Sequence, residues 1–402
     1  MRKIAGVYKN AYSGFSTSTW WLCFVMFVNR CGTMVVPFMT LYLTQYHHYS
    51  ISKAGIVMAI FGAGAVCGGF LGGRLTDKFG FYTIQLVALT GGGIMFITLG
   101  YANSFPLICI LTFFLSLIND SFRPANATAI AHYSTEDNRV RAYSLNRLAT
   151  NLGWAFGGAL GGFVASKNYH LLFWIDGITN ILAAILLRII LKPAPKKTKE
   201  QKQEQKNNPP HRSPYKDGAY ITFILLTTVF AYSFFQLFTT IPVFFKKELH
   251  LPETYIGAIM ALNGILIVAF EMVTVFKIEG RRKNLVFVFY GTLLMGLSYV
   301  VFNIVPGELS LALLSTIIVT VAEILTLPFM NSFWISRSGE HNRGQYAGLY
   351  TVAWSIAQIA GPATGTLLVD AYGFRILWWT IGVFSLLTAV GYRLLSVYVD
   401  KE

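Results

Sequence analysis

Apolar residues in this chain do not alternate with polar ones; they come in long runs, each closed by a short polar stretch. Crossing about 30 Å of hydrocarbon takes about twenty residues of helix. By that ruler the runs predict twelve membrane helices. The first six lie at 17–45, 52–74, 81–101, 105–132, 142–166 and 169–191. The second six lie at 218–246, 254–277, 284–304, 309–335, 343–371 and 374–397. The stretch between the two sets, 192–217, is rich in lysine and proline and lacks apolar periodicity, which predicts a flexible, partly helical linker. An offset of 204 residues carries Pro124 onto Pro328, Asn138-Arg139 onto Asn342-Arg343, Leu145 onto Leu349, Gly157 onto Gly361, Gly161 onto Gly365 and Trp174 onto Trp378. Collinear matches of this kind point to duplication. The expected fold is an all-α membrane protein of two pseudo-symmetric six-helix bundles, 1–191 and 218–402, joined by the basic linker, and such an arrangement suggests a transporter.

Composition sharpens this picture. The 402 residues are 54% hydrophobic and 12% charged, with a mean hydropathy of +0.53, which excludes an ordinary soluble protein. The net charge of +14 sits in loops between the apolar runs, which fits membrane orientation and speaks against nucleic acid as a partner. One set of loops carries Lys9, Arg74, Lys78, Arg139, Arg141, Arg281, Arg282, Lys283 and the linker; the opposite set carries only Lys53, Lys167, Lys246, Lys247 and Arg375. Basic loops stay inside, so both termini are expected in the cytoplasm, with the protein in a bacterial inner (plasma) membrane. Cys23, Cys31, Cys67 and Cys109 lie in apolar runs without metal-ligand spacing, so neither a disulfide nor a metal site is expected. With no phosphate-binding Gly-Lys-Ser/Thr loop and no catalytic constellation, no cofactor and no enzymatic activity are expected. The partners are then a small-molecule substrate, protons and membrane lipids, for a protein expected to act as a monomer.

Between the second and third runs stands Gly73-Arg74-Leu75-Thr76-Asp77-Lys78-Phe79-Gly80. Gly73 permits close helix contact, and Asp77 offers an anion to a helix N-terminus. The stretch resembles the signature loop of the major facilitator superfamily, with Phe81-Tyr82 where a basic pair is usual. The resemblance implies a latch between the two halves. In the fifth run, Gly153, Gly157, Gly158, Gly161 and Gly162 resemble the glycine-rich motif of the twelve-helix drug:proton antiporter family. Gly158 takes the place of that motif's proline, which the repeat supplies at Gly361-Pro362. This resemblance implies close helix packing that governs exchange between the two faces.

Ionisable groups inside membrane helices are costly, and by default they mark function. The candidates for proton coupling are Asp120, Glu323 and Glu271, with Arg123 and Arg30 as partners; a structural ion pair is the plainer reading of Asp120 with Arg123. Burial favours the protonated acid and a nearby arginine the ionised one, which lets such a carboxylate load and release a proton. Asp176 and Asp370, near the outer ends of their helices, read as interfacial and structural. Candidate substrate contacts are Asn119, Asn126, Gln236 and Asn263, with Tyr232 and Trp354 as aromatic surfaces. The reading that follows is proton-coupled export of amphipathic or cationic compounds. Proton-coupled uptake of a small nutrient such as a peptide is the alternative, since the stretch around Arg30 resembles the first helix of proton-coupled oligopeptide transporters without its glutamates. A receptor or lipid flippase on the same scaffold is a third possibility.

Overall fold

The computed structural model describes residues 2–191 and 213–401, and among them every regular element is helical. The expected linker therefore lies outside the described residues over 192–212. A short helix, Arg2–Ala11, precedes the first crossing. The spans are numbered in chain order: 1, Thr17–Tyr46; 2, Ile51–Phe79; 3, Phe81–Leu99; 4, Phe105–Tyr133; 5, Arg139–Lys167; 6, Tyr169–Ile190. They continue with 7, Gly218–Lys247; 8, Glu253–Ile278; 9, Asn284–Ile304; and 10, Leu309–Arg337. Spans 11 and 12 share the helix Arg343–Val399, whose 57 residues would run about 85 Å if unbroken. Gly373 breaks it, with φ +79°.

Ten of these helices are long and apolar enough to cross a membrane when Arg343–Val399 counts as one. Span 5 is not among them, because Arg139, Arg141, Asn146 and Arg147 dilute its first turns. With span 5 included and the break at Gly373 counted, the described residues hold twelve helices of spanning length. Their bounds follow the apolar runs closely, with one correction. Gly73 to Phe79 are helical, not a loop, and only Gly80, with φ +86°, turns the chain. The apolar stems of Arg74 and Lys78 let a helix continue past the apolar run while the charges reach the polar zone; the Arg74 guanidinium lies 4.3 Å from the centre of the Phe70 ring.

Spans 1 and 7 are each broken at the same point of the repeat. Span 1 divides into Thr17–Cys31 and Val35–Leu41, and span 7 into Gly218–Gln236 and Thr240–Lys247. Pro37 and Pro242 each occupy the third position of the second piece, where a helix has no internal use for an amide hydrogen. The amides freed at the span 1 break are satisfied from span 6: Asp176 accepts from Met34 N at 3.0 Å and Val35 N at 2.9 Å. Asp176 is 1% exposed, so its expected interfacial position is corrected to a buried one. Asn29 donates to Asn180 beside it at 2.9 Å. Large apolar side chains such as Phe163, Ile189, Leu225, Leu367 and Leu394 point outward from the helices, as a lipid-facing exterior requires.

The Arg2–Ala11 helix and the end of span 12 lie on one face, as an even number of spans requires. There Arg337, at the end of span 10, places a two-pronged guanidinium on Asp217, which also caps span 7 through Tyr220 N and accepts from the Tyr346 hydroxyl. Burial alone would raise the Asp217 carboxyl, but Arg337, the Tyr220 amide and Tyr346 outweigh it and hold the carboxyl below its ordinary value. A depressed folded-state value stabilises the fold above the unfolded carboxyl range and is lost as pH falls through the folded value. Asp217→Asn should therefore lower thermal stability near neutral pH by about 3 kcal/mol, because it removes the carboxylate from a largely buried, two-pronged ion pair. It should also flatten the acid limb of stability below about pH 4. Melting curves of both proteins across pH check this; parallel acid limbs would contradict it.

Candidate functional site

The glycines of span 5 decide how near it lies to span 1. A Cβ on Gly157 would meet the carbonyl oxygens of Arg30, Cys31 and Thr33 at 3.1–3.3 Å, and one on Gly153 would stand 2.4 Å from the Arg30 side chain. Gly161 faces Phe38 in the same way, while Gly162 has only Phe38 at 3.9 Å and is not a tight contact. The repeat does the same: Gly361 and Gly365, on span 11 with Pro362 between them, back onto Tyr232 and Gln236 of span 7. Spans 1 and 5 are thereby drawn together in the first half, and spans 7 and 11 in the second.

On the same span 5, Arg147 reaches across to spans 8 and 10 in the second half of the chain. Its Nη1 donates to Glu271 of span 8 at 2.7 Å, and its Nη2 to Glu323 of span 10. Asn263 donates to Glu323 at 3.1 Å and to the Thr320 hydroxyl at 2.9 Å. Both glutamate side chains are 3% exposed and that of Arg147 16%. Arg147 was not among the residues picked out from the sequence, although a lone arginine inside a membrane run was the signal for it. Asp120 and Arg123 of span 4 pair at 3.5 Å, with Ser116 donating to Asp120 at 3.3 Å. Arg123 also reaches Ser355 of span 11 at 3.5 Å. Arg30 has no carboxylate within ion-pair distance among the described residues, and its Nε is buried without a hydrogen-bond partner.

Several polar residues marked for substrate turn out to be committed to the protein itself. Gln236, fully buried, donates to Gly361 O at 2.8 Å and accepts from Thr240, so it ties span 7 to span 11. Asn126 links Gln85 of span 3 to Asn146 of span 5. Asn119 lies over Gly92 of span 3. Asn263 belongs to the Glu323 cluster. A membrane interior leaves no water to satisfy an amide, which is why such side chains find helix partners first. Trp354 is surrounded by Phe230, Phe234, Phe235 and Tyr350, and Tyr232 accepts from Thr364.

The face with the chain ends is closed between the halves. Asp77 of span 2 accepts from Gly344 N at 2.6 Å and Gln345 N at 2.9 Å, at the first turn of span 11. The Asn342 side chain does not cap that helix; it accepts from Gly339 N instead, so Asp77 caps span 11 from the other half. The backbones touch: a Cβ on Gly73 would stand 2.4 Å from Gly344 O. Nearby, Arg141 of span 5 pairs with Glu279 at 3.1 Å, and its Nη1 lies 3.2–3.4 Å from the carbonyls of Asn10, Ala11 and Ser13. Burial holds the Glu279 carboxyl above its ordinary value, with Arg141 and the Val140 amide pulling the other way. Tyr8 of the Arg2–Ala11 helix donates to Ala269 O of span 8 at 2.8 Å. Ala11 is fully buried with Leu145 and Met272.

A lipid-facing helical exterior around charges buried between the halves defines a polytopic membrane transporter. The chain matches the model of the Major Facilitator Superfamily over residues 22–362 and belongs to that family. It is 22% identical to the uncharacterised MFS-type transporter YqjV of Bacillus subtilis, covering 92% of this chain and 90% of the relative. It is 24% identical to a Na(+), Li(+), K(+)/H(+) antiporter of Planococcus maritimus, covering 94% and 95%. It is 21% identical to the quinolone resistance protein NorA of Staphylococcus aureus, covering 87% and 89%. Among solved structures, the human organic anion transporter MFSD10 matches with a TM-score of 0.73 at 14% identity, over 93% of this chain and 98% of that one.

Proposed function

We propose that the protein is a proton-coupled exporter of amphipathic or cationic small molecules, working by alternating access of residues 1–191 against 218–402. The observation that carries this reading is the pair of buried carboxylates, Glu271 and Glu323, on a single guanidinium from the opposite half. Two acids and one arginine carry a net charge of −1 when ionised. One proton or one monovalent cation restores neutrality, so proton and cargo contend for the same groups, which is the condition for exchange. Asp120 with Arg123 is a second candidate for proton loading. Phe234, Phe235, Tyr350 and Trp354 supply a surface for a flat or cationic body. The similarity to NorA supports a drug-like cargo. The basic face with the chain ends is the cytoplasmic one on this reading, and the conformation is the one closed toward the cytoplasm.

A second reading, exchange of an alkali cation for protons, is favoured by the oxygen donors gathered at Glu271, Glu323, Asn263 and Thr320 and by the similarity to the Planococcus antiporter. Both readings are tested by quenching of a pH-sensitive dye in energised inside-out vesicles. Addition of a lipophilic cation should discharge the gradient with the wild type and not with Asp120→Asn if span 4 carries the proton. Discharge by sodium or potassium alone would move the assignment to the second reading. No discharge by any of them, with inward peptide movement in vesicles of the opposite orientation, would overturn export in favour of uptake.

A further inference from the structure

We infer that Arg147 acts as a tethered rival of the transported cation and thereby locks the unloaded carrier, a role that rests on the exchange reading above. The geometry is specific. Arg147 leaves the half that bears it and places its two Nη atoms on carboxylates of the other half, from two different spans. Glu323 is in turn fixed by Asn263, so it does not follow the arginine when the halves part. The groups facing the cluster from the surrounding elements are Tyr12, just after the Arg2–Ala11 helix, Tyr299 of span 9 and Tyr350 of span 11, with the Asp120–Arg123 pair of span 4 acting on Tyr350 through Arg123. The near neighbours are phenols, so Arg147 is the counter-charge that Glu271 and Glu323 share.

A charge carried on the protein competes at a high effective concentration with the same charge arriving from solution. While the site is empty, the arginine fills it and ties the halves together across the middle of the membrane. A proton or a cargo cation at Glu271 and Glu323 cancels one of the two carboxylate charges and so weakens the attraction for the guanidinium. Arg147 is then held by one carboxylate instead of two, and the tie between the halves loses one of its two arms. Loading the site and releasing the tie are thus one event. An empty carrier stays locked, and only a proton-loaded or cargo-loaded one can switch, which is what keeps exchange obligatory.

The test uses the full chain in lipid nanodiscs with tetraphenylphosphonium as the probe, and two readouts. The first is hydrogen exchange of the residue 343–348 backbone, whose Gly344 and Gln345 amides are held by Asp77 and report opening of the closed face. In wild type, exchange there, corrected for its slower intrinsic rate at lower pH, should rise when pH is lowered from about 8 to about 7. In Arg147→Gln it should be high at both pH values, and in Arg147→Lys the pH dependence should persist. The second readout is probe binding at alkaline pH, which should become at least about tenfold tighter in Arg147→Gln because the rival is gone. A purely structural arginine gives the opposite pattern: unchanged or weaker binding and a retained pH response, which would overturn the proposal. If wild type binds no probe at any pH, the cation-export reading falls, while the exchange readout still decides for or against the lock. Retained pH dependence in a well-folded Arg147→Gln decides against it.

Discussion

Proton-driven transport should fall to the level of protein-free vesicles in Glu323→Gln, while the variant remains folded and inserted. Glutamine keeps the shape of the side chain and the hydrogen bond from Asn263, but it removes the titrating oxygen. Arg147 is then left with Glu271 alone, a neutral pair that gains nothing from a proton and would leave a bare buried guanidinium if it took one. The same logic makes Glu271→Gln equally inactive under a pH gradient. Exchange of labelled for unlabelled substrate without a gradient should survive in both variants at a reduced rate, since it requires binding and not proton loading. Undiminished gradient-driven flux in the two single variants and in the double variant would remove these acids from the coupling mechanism.

Opening of the closed face is the second large effect, expected in Asp77→Asn. The carboxylate supplies the cap that span 11 lacks in its own sequence, and it does so with a full charge at the positive end of a long helix. Losing the charge at this partly buried helix end should weaken the closed state by about 1–2 kcal/mol. That changes the ratio of the two conformations by a factor of about 5–30. Flux should drop because one half of the cycle becomes uphill, and the 343–348 amides should exchange faster. Gly73→Val should act in the same direction and more strongly, since the groups it would strike are the Gly344 carbonyl and the Gly348 backbone, which cannot rotate away. Unaltered flux and exchange in Asp77→Asn would mean that the signature residues here are ornamental.

The division between what could be read in the chain and what could not has a physical origin. Spans are local: an apolar run, a positive-φ glycine or a proline after a break is decided by neighbours a few residues away, so the helices and their bounds were within reach. The place of Asp77 was also within reach, since its spacing from Gly73 and Gly80 carries a recognisable motif. Arg147 was not, because its partners lie 124 and 176 residues away and helix periodicity says only what shares a face within one helix. Duplication misled in a similar way. It pairs Glu323 with Asn119, yet Asn119 lies over Gly92 while Glu323 faces Arg147, so the repeat preserves depth along the helix and not what stands opposite. Gln236 shows the same limit: an amide in a membrane run signals need of a partner, but it does not say whether protein or cargo supplies it. Asp176 was misplaced because the break in span 1 brings two bare amides to a depth that no count of residues from the helix end reveals.

The Arg2–Ala11 helix has a practical consequence for handling the protein. Its last turn is held by Arg141, its Tyr8 is docked on span 8, and Ala11 is sealed in the interior beneath the Glu271 cluster. An affinity tag or fluorescent fusion placed ahead of it loads that wedge directly. One placed after residue 401 hangs from the exposed Lys283–Asp400 pair and leaves the wedge seated. Assays on protein tagged at the front would therefore measure a carrier that has been partly pried open.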